Sequence, residues 1–503
     1  NFIIMIRLWE IIPGALAWTT LLGFIFLSWR LPAAVVVIIL LYDLYWFLKL
    51  FYLFFHLRVS FMKMRANLKL DWLARIKSEK SGAWEKIHHL VIFPMFRESY
   101  EVVRESFLSL AESNYPKEKF FVVLATEEKG GEEDRQTAAM IKEEFGSLFK
   151  DFLVTVHPAG LPNELPGKGS NEAWAGREAQ RKIIDPSSGV PHEDILVSVF
   201  DIDTRTGPDY FGILTHAFLS APHPQHSSYQ PVPIYINNIR EAPFFARLAG
   251  FSSTFWQLMQ EARPEQLVTF SSHSMPFRAL TEIGFWETDL VSEDSRIFFQ
   301  CLVHYNGDWR TEPLLYPVYM DAVTGRNFFT ALKNLYKQQR RWAWGAENLA
   351  RLAGDFSLNK EIPGRVKRFW RWVLFDGFYS WSTSSFIIFF FGWLPNILGN
   401  EAFRASVLSY NLPRLTGWIL NLSSVGVLAL AFLSIVILQP KMKGFKKRYY
   451  VFYLLQWVLT PFTFLIFSAL PALDAQTRLM LSGRFRLGFW RTPKVRINVA
   501  QNG

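Results

Sequence analysis

Five long stretches almost without charge decide what this 503-residue chain can become. Residues 11–29 carry no charged side chain, and residues 32–55 carry only Asp43 and Lys49. Residues 372–394 hold one acid, Asp376, while 416–438 and 449–470 hold no charge at all. A helix needs roughly 20 apolar residues to cross a bilayer, so at least four of these runs are expected to span a membrane. They also absorb the surplus of 47 Phe and 19 Trp, more than the core of a soluble enzyme needs. A second run follows the first at once and no small-residue cleavage site stands out. The first run therefore reads as a span rather than a cleaved signal peptide.

The net charge of +10 would suit nucleic acid, but its placement argues for lipid and against nucleic acid. Arg58, Lys63, Arg65 and Lys69 follow the second run, and Lys441, Lys443, Lys446, Lys447 and Arg448 separate the fourth from the fifth. Basic residues beside spans mark the cytoplasmic side and bind anionic headgroups. The expectation is an integral membrane protein of bacterial type with its central region, residues 58–371, in the cytoplasm. Cys301 is the single cysteine, which removes disulfide frameworks and thiolate metal clusters from consideration.

Within the central region, β-rich runs at 89–93, 120–125, 152–156 and 195–200 alternate with helical stretches at 100–113, 134–149 and 170–184. That alternation predicts an α/β domain with a mainly parallel sheet covered by helices. Residues 221–233, with their prolines and histidines, read as a loop. In such sheets ligands bind beyond the carboxyl ends of the strands. Asp201-Ile202-Asp203 stands at that place after the fourth run. Alternate residues of an extended segment point the same way, and Mg²⁺ or Mn²⁺ takes one or two carboxylates together with the phosphates of its ligand. A solvated pair in a turn is the simpler reading of the same three residues. No G-x-G-x-x-G or P-loop accompanies them, which argues against nicotinamide and NTP-hydrolysing chemistry.

Two further clusters have a double reading. Ser292-Glu293-Asp294 opens an apolar helical stretch, so Ser292 is expected to cap it, with acids favoured in the first turn. An acid so placed can also serve as a general base. Lys337-Gln338-Gln339-Arg340-Arg341-Trp342-Ala343-Trp344 suits a membrane-surface helix. It equally suits an Arg fork on a diphosphate with an indole platform for a sugar ring.

In order, the chain shows Pro94-Met95-Phe96-Arg97-Glu98 and Pro166-Gly167-Lys168-Gly169-Ser170-Asn171, then the D-x-D pair, Glu293-Asp294, and Gln-x-x-Arg-Trp at Gln338, Arg341 and Trp342. Over residues 88–345 this resembles the membrane-embedded inverting glycosyltransferases of family 2, the group that includes the cellulose, chitin and hyaluronan synthases. The resemblance implies a GT-A fold, Rossmann-like with a mainly parallel sheet, flanked by transmembrane helices. It implies that Asp201 and Asp203 hold Mg²⁺ or Mn²⁺ on a UDP-sugar donor, with Glu98 and Lys168 near the nucleotide. Asp294, beside Glu293, would be the base, and Gln338, Arg341 and Trp342 would line the acceptor and diphosphate. The family's base-contacting Asp pair is here Thr126-Glu127-Glu128, so Glu127 or Glu128 must substitute. Ser292 stands where Thr is common. Phe489-Trp490-Arg491-Thr492-Pro493-Lys494 resembles the F-x-V-T-x-K gating loop of cellulose synthases, with Arg for Val, which implies roles for Thr492 and Lys494.

The resulting division is two N-terminal spans over 1–57, the catalytic domain over 58–350, an interfacial helix over 351–371, a membrane region over 372–470 and a cytoplasmic tail over 471–503. A full crossing by 449–470 would export Arg478, Arg484, Arg486, Arg491, Lys494 and Arg496, against the charge rule. Pro461 lies mid-segment, and proline interrupts helices. A bent, re-entrant or interfacial segment is therefore expected. Asp43 and Asp376 are expected to face protein or water. The favoured activity is polysaccharide synthesis with export. The alternative is transfer of one sugar to a lipid carrier, and a non-catalytic scaffold would have no use for the clustered acids. The expected partners are a nucleotide sugar, membrane lipids and a glycan or lipid acceptor. So few spans leave room for a homo-oligomer or an accessory subunit.

Overall fold

The computed structural model describes residues 2–186, 188–438 and 447–494. Lys441, Lys443 and Lys446 of the expected basic cluster, and Arg496, lie outside the described residues.

Eight strands form one sheet in the order β3-β2-β1-β4-β7-β6-β8-β5. They are β1 (His88–Pro94), β2 (Phe120–Glu127), β3 (Asp151–His157), β4 (Ile195–Val199), β5 (Arg205–Thr206), β6 (Ser227–Tyr235), β7 (Ser274–Pro276) and β8 (Arg310–Met320). The first four are parallel, in register His89 to Phe120 and His88 to Ile195. Both faces of β1, β2 and β4 are covered, so they read as unbroken apolar runs. Val91 and Phe93 meet Phe107, Phe145 and Phe211 on one face. Leu90 and Ile92 meet Ala173, Ile297 and Phe298 on the other. Each fully buried side chain of this size contributes roughly 1.5–3 kcal/mol, which fixes the strand ends from which the site projects.

The expected loop at 221–233 is corrected by the structure: its second half is β6, buried along its length. Pro231 and Pro233 hide the strand because proline cannot donate to a ladder. The register against β8 shifts between Gln230 and Val232, and the buried Gln230 side chain is hydrogen-bonded at the shift. Its Nε2 donates to Pro231 O at 2.9 Å and its Oε1 accepts from Phe270 N at 2.7 Å.

Among the described residues, four helices are long and apolar enough to cross a membrane: Ile4–Arg30, Pro32–Asn67, Val407–Leu438 and Arg448–Leu481. A fifth candidate, Gly364–Phe389 followed by Phe391–Leu398, bends by 44°. The single helix expected over 351–371 is instead the end of Glu347–Leu358 and the start of Gly364–Phe389. Asp43 is buried as expected, and Asp376 pairs with Lys49 at 3.5 Å.

The segment after residue 447 is helical but irregular, with a 3₁₀ turn at Gln456–Leu459 and a π turn at Leu465–Ala469. Pro461 stands at the start of the short helix Thr460–Phe464, where proline is tolerated. Tyr453 and Trp457 pack with Val232, Ile234, Phe251 and Phe255 of the sheet domain. Leu470–Leu481 returns along the first span: Arg7 donates to Leu479 O at 2.9 Å and Trp18 to Thr477 Oγ1 at 2.9 Å. The first half of the segment thus touches the sheet domain, and the second runs along the first span, where Leu473 packs with Ala17 and Leu21.

Candidate active site

The site is assembled at the carboxyl ends of the strands. Beyond β4 the chain turns through Asp201-Ile202-Asp203, with Thr204 N donating to Asp201 O at 2.8 Å. Ile202 points into the core. The flanking aspartates face the other way, as the alternation of an extended segment requires. Asp201 Oδ2 accepts from Ser271 Oγ at 2.6 Å. Asp203 is 1% exposed; its Oδ2 accepts from Asp321 N at 2.8 Å and pairs with Lys494 Nζ at 2.7 Å.

Lys168 opens the helix Lys168–Ala179 after Gly167, whose φ of 151° is one that glycine favours. A Cβ on Gly167 would lie 2.4 Å from Phe489 Cγ, so the turn has no room for a side chain. The Lys168 ammonium is ringed by acids: Asp294 at 2.6 Å, Asp201 at 2.8 Å, Glu172 at 3.5 Å and Glu293 at 3.9 Å. Burial alone would discharge it, but the four carboxylates outweigh that and hold it firmly protonated. Burial would likewise push Asp201 up, yet Lys168 and Lys494 keep its carboxylate below the usual range. Four acids around one ammonium cannot all ionise out of water. Burial with Asp294 alongside lifts Glu293 to about 8, and burial lifts Glu172 well above a normal carboxylate.

Glu293 and Asp294 occupy the first turn of Glu293–His304. The expected cap by Ser292 is corrected: its hydroxyl makes no cap bond and donates instead to Glu347 Oε1 at 2.8 Å. Glu347 also accepts from Trp344 Nε1 at 3.0 Å, which ties the base turn to the end of the Gln-x-x-Arg-Trp motif.

That motif ends the helix Phe328–Ala343. Gln338 Nε2 donates to Thr492 Oγ1 at 3.3 Å, and Arg341 lies over the Phe489 ring at 5.4 Å. Trp342 packs against Tyr235 and Phe270. Residues 489–494 form a strap across the cleft. Beyond Lys494 on Asp203, Arg491 pairs with Glu98 Oε1 at 2.8 Å and donates to Phe96 O, while Lys337 lies over the Trp490 ring. Burial raises Glu98 to about 7 against the opposing charge of Arg491.

The structure therefore brings Lys168, Asp201, Asp203, Glu293, Asp294 and Lys494 into one basin, and links Gln338 to Thr492 and Glu98 to Arg491. Glu127 stands apart, lining a side cleft with Lys129, His157 and Glu164. Exposed Glu128 accepts from Ala159 N at 2.8 Å. Sequence reasoning missed Glu172 and Asp321. Glu172 follows Lys168 by four residues, a spacing that shares a helix face. Asp321 directly follows β8 and would have been found by the strand-end rule had that strand been read.

The basin suits a hard divalent cation. Asp203 Oδ1 and the Tyr235 hydroxyl are buried without hydrogen-bond partners, and two lysine ammoniums occupy the space between the carboxylates.

Residues 196–470 match the family described as Glycosyl transferase family group 2. Comparison with curated proteins found no match. Among solved structures, the chain is similar to mannosyltransferase PcManGT from Pyrobaculum calidifontis in complex with GDP-Man and Mn²⁺. The two are 14% identical with a TM-score of 0.40, covering 83% of this chain and 97% of that one. It is also similar to TarS 1-349 from S. aureus in complex with UDP-GlcNAc, at 13% identity and a TM-score of 0.29, covering 68% and 90%.

Proposed function

The chain belongs to glycosyl transferase family group 2, and on that premise we propose an inverting membrane transferase that extends a polysaccharide from a nucleotide-diphosphate sugar. The observation that carries the reading is the basin itself, where Asp294 and the D-x-D pair are joined through one ammonium, Lys168.

In the proposed reaction Asp294 takes the proton of the acceptor hydroxyl. The acceptor oxygen then bonds to the anomeric carbon as the bond from that carbon to the donor phosphate breaks. The nucleoside diphosphate leaves on the opposite face, so the anomeric configuration inverts. A divalent cation held by Asp201 and Asp203 would neutralise charge on the leaving diphosphate. Arg341, at the end of its helix, is placed to add a guanidinium to the same charge. Trp342 offers an indole face toward the acceptor side. Glu127, in the side cleft, is the carboxyl offered to the nucleobase, and UDP is the donor the resemblance implies.

The catalytic domain is assigned to the cytoplasmic face because Arg58, Lys63, Arg65 and Lys69 follow the second span. Contacts at both ends of 447–481 support an interfacial course that leaves the strap beside the site. Polar and aromatic side chains meet inside the bundle, with Thr20 to Tyr379, Tyr42 to Ser384 and Trp381 to Ser468 each at 2.8 Å. They support a path for a glycan, although polar pairs also serve to hold helices together.

The test is the purified protein in detergent with Mg²⁺ or Mn²⁺ and a panel of radiolabelled nucleotide sugars, with products sized on a gel. A ladder or a high-molecular-weight smear supports the synthase reading. One organic-extractable product would replace it with transfer to a lipid carrier, and no product from any donor would count against both.

A further inference from the structure

The Lys168 ammonium is held closely on one side and only approached on the other. It lies 2.6 Å from Asp294 and 2.8 Å from Asp201, but 3.5 Å from Glu172 Oε1 and 3.9 Å from Glu293 Oε1. Those last two acids are 0% and 2% exposed, and among the described residues no oxygen of either carboxyl has a hydrogen-bond partner. Oxygens of Glu172, Glu293 and Asp294 lie within 4.8 Å of one another, so the unpartnered groups face the space that holds the ammonium. The helix Lys168–Ala179 is pinned against its surroundings. Ser170 Oγ donates to Leu165 O at 2.9 Å and Asn171 Nδ2 to Ala125 O at 2.8 Å, while a Cβ on Gly169 would lie 2.9 Å from Glu293 Cβ. That leaves the Lys168 side chain as the part that can move, and Glu172, four residues on, shares its helix face.

We propose that Glu172, with Glu293 beside it, is a second seat for the Lys168 ammonium, onto which it withdraws when a divalent cation takes Asp201. The inference rests on the transferase reading in that it places a cation at Asp201 and Asp203. Such an ion carries twice the charge of the ammonium and repels it at close range. A buried ammonium that loses one acceptor has to find another, because a buried charge without a partner is costly. Glu172 is near enough to receive it, since a shift of roughly 1 Å brings the pair to ordinary hydrogen-bond distance. A carboxyl oxygen accepts from the ammonium whether or not the group carries a proton. Glu172 is thus a positioning residue that acts through Lys168: it lets Asp201 exchange an ammonium for the ion.

The experiment is a Mn²⁺ titration of the full chain in detergent, with UDP and separately with GDP, in which bound ion is read by electron paramagnetic resonance. Glu172→Met keeps the length of the side chain and removes the acceptor. It is expected to weaken Mn²⁺ binding about tenfold. Glu172→Gln, whose carbonyl still accepts, is expected to stay within about twofold of the parent. If Glu172 only anchors Lys168 where it stands, Glu172→Met frees the ammonium and Mn²⁺ binds more tightly, which is the opposite sign. If Glu172 acts only as a nearby negative charge, Glu172→Gln weakens binding as much as Glu172→Met does. Either result, or unchanged affinity in Glu172→Met, overturns the inference and leaves the transferase reading standing. If Asp203→Asn binds Mn²⁺ as the parent does, or the parent binds none with either nucleotide, the metal reading of the D-x-D pair falls and takes the inference with it. Should Glu172→Met fail to fold, Glu172→Asp, whose carboxyl stops one carbon short of the ammonium, decides. Weaker binding there supports the second seat, and unchanged or tighter binding overturns it.

Discussion

The Lys168 ammonium lies 2.6 Å from the Asp294 carboxylate and 2.8 Å from that of Asp201, so a single cation spans the candidate base and the candidate metal ligand. The base is therefore held in an ion pair in this state. A divalent ion held by Asp201 would compete with Lys168 for that carboxylate, and in the proposed reaction loading of the donor side would then be linked to release of the base.

Replacement of Asp294 by Asn keeps the side-chain shape and removes the proton acceptor. Turnover is expected to fall by about 10²–10⁴-fold, the span of general-base catalysis. Nucleotide affinity, measured by calorimetry, is expected to stay at the parent value. Normal turnover would remove Asp294 from its role.

Glu293 makes a pH-dependent contribution to stability. Burial and the neighbouring Asp294 raise it to about 8, so the folded protein keeps a proton that the unfolded chain releases near the usual 4.5. Its contribution is complete below that lower value and is lost progressively until about 8. Glu293→Gln, which is always neutral, should gain thermal stability over the parent as pH rises from 5 to 8. Melting curves in detergent that run parallel across this interval would show that the acid is not held protonated.

The strap should respond to pH through Glu98. Arg491 lowers the affinity of Glu98 for its proton, so withdrawal of Arg491 raises that affinity further above the value of about 7. Docking is accordingly favoured above pH 7 and weakens as pH falls through it. Fluorescence of Trp490, quenched and shifted by Lys337 in the docked state, is the reporter, with Trp490→Phe as the blank and Glu98→Gln as the variant expected to lose the transition.

Asp474 positions the helix that carries Gln338, Arg341 and Trp342. Its carboxylate accepts from Arg340 at 2.9 Å, Tyr336 at 3.2 Å and Arg478 at 2.6 Å. Asp474→Ala should lower kcat about tenfold, the kind of loss that small displacements near the chemistry cause. Mn²⁺ affinity should not change. Loss of Mn²⁺ binding in this variant would mean that the whole domain has been disturbed rather than one helix.

The first four strands and the D-x-D turn were readable because a parallel strand buried on both faces leaves an unbroken apolar run ending in polar residues. The motif order from Glu98 to Trp342 gave the family, which the match over residues 196–470 bears out. β6 was hidden because Pro231 and Pro233 mimic a loop, and its pairing with β8, across a register shift at Gln230, is set by the tertiary fold. Ser292 carried the composition of a cap, yet Glu347, 55 residues later, competes for its hydroxyl at 2.8 Å. Glu172 was legible only as the helix neighbour of Lys168 four residues on, and Asp321 only once β8 is read as a strand. The strap's motif was visible, but its contacts with Glu98 and Asp203 join positions some 290 to 390 residues apart.

Residues 489–494 follow the sheet by three hydrophobic segments, so a ribosome delivers them well after β8 has emerged. A nascent chain whose sheet has already folded has Lys168, Asp201, Asp203 and Asp294 in place with nothing yet laid across them. During that interval the acids are uncovered, and the order of synthesis lets residues 489–494 decide when a newly made site is closed.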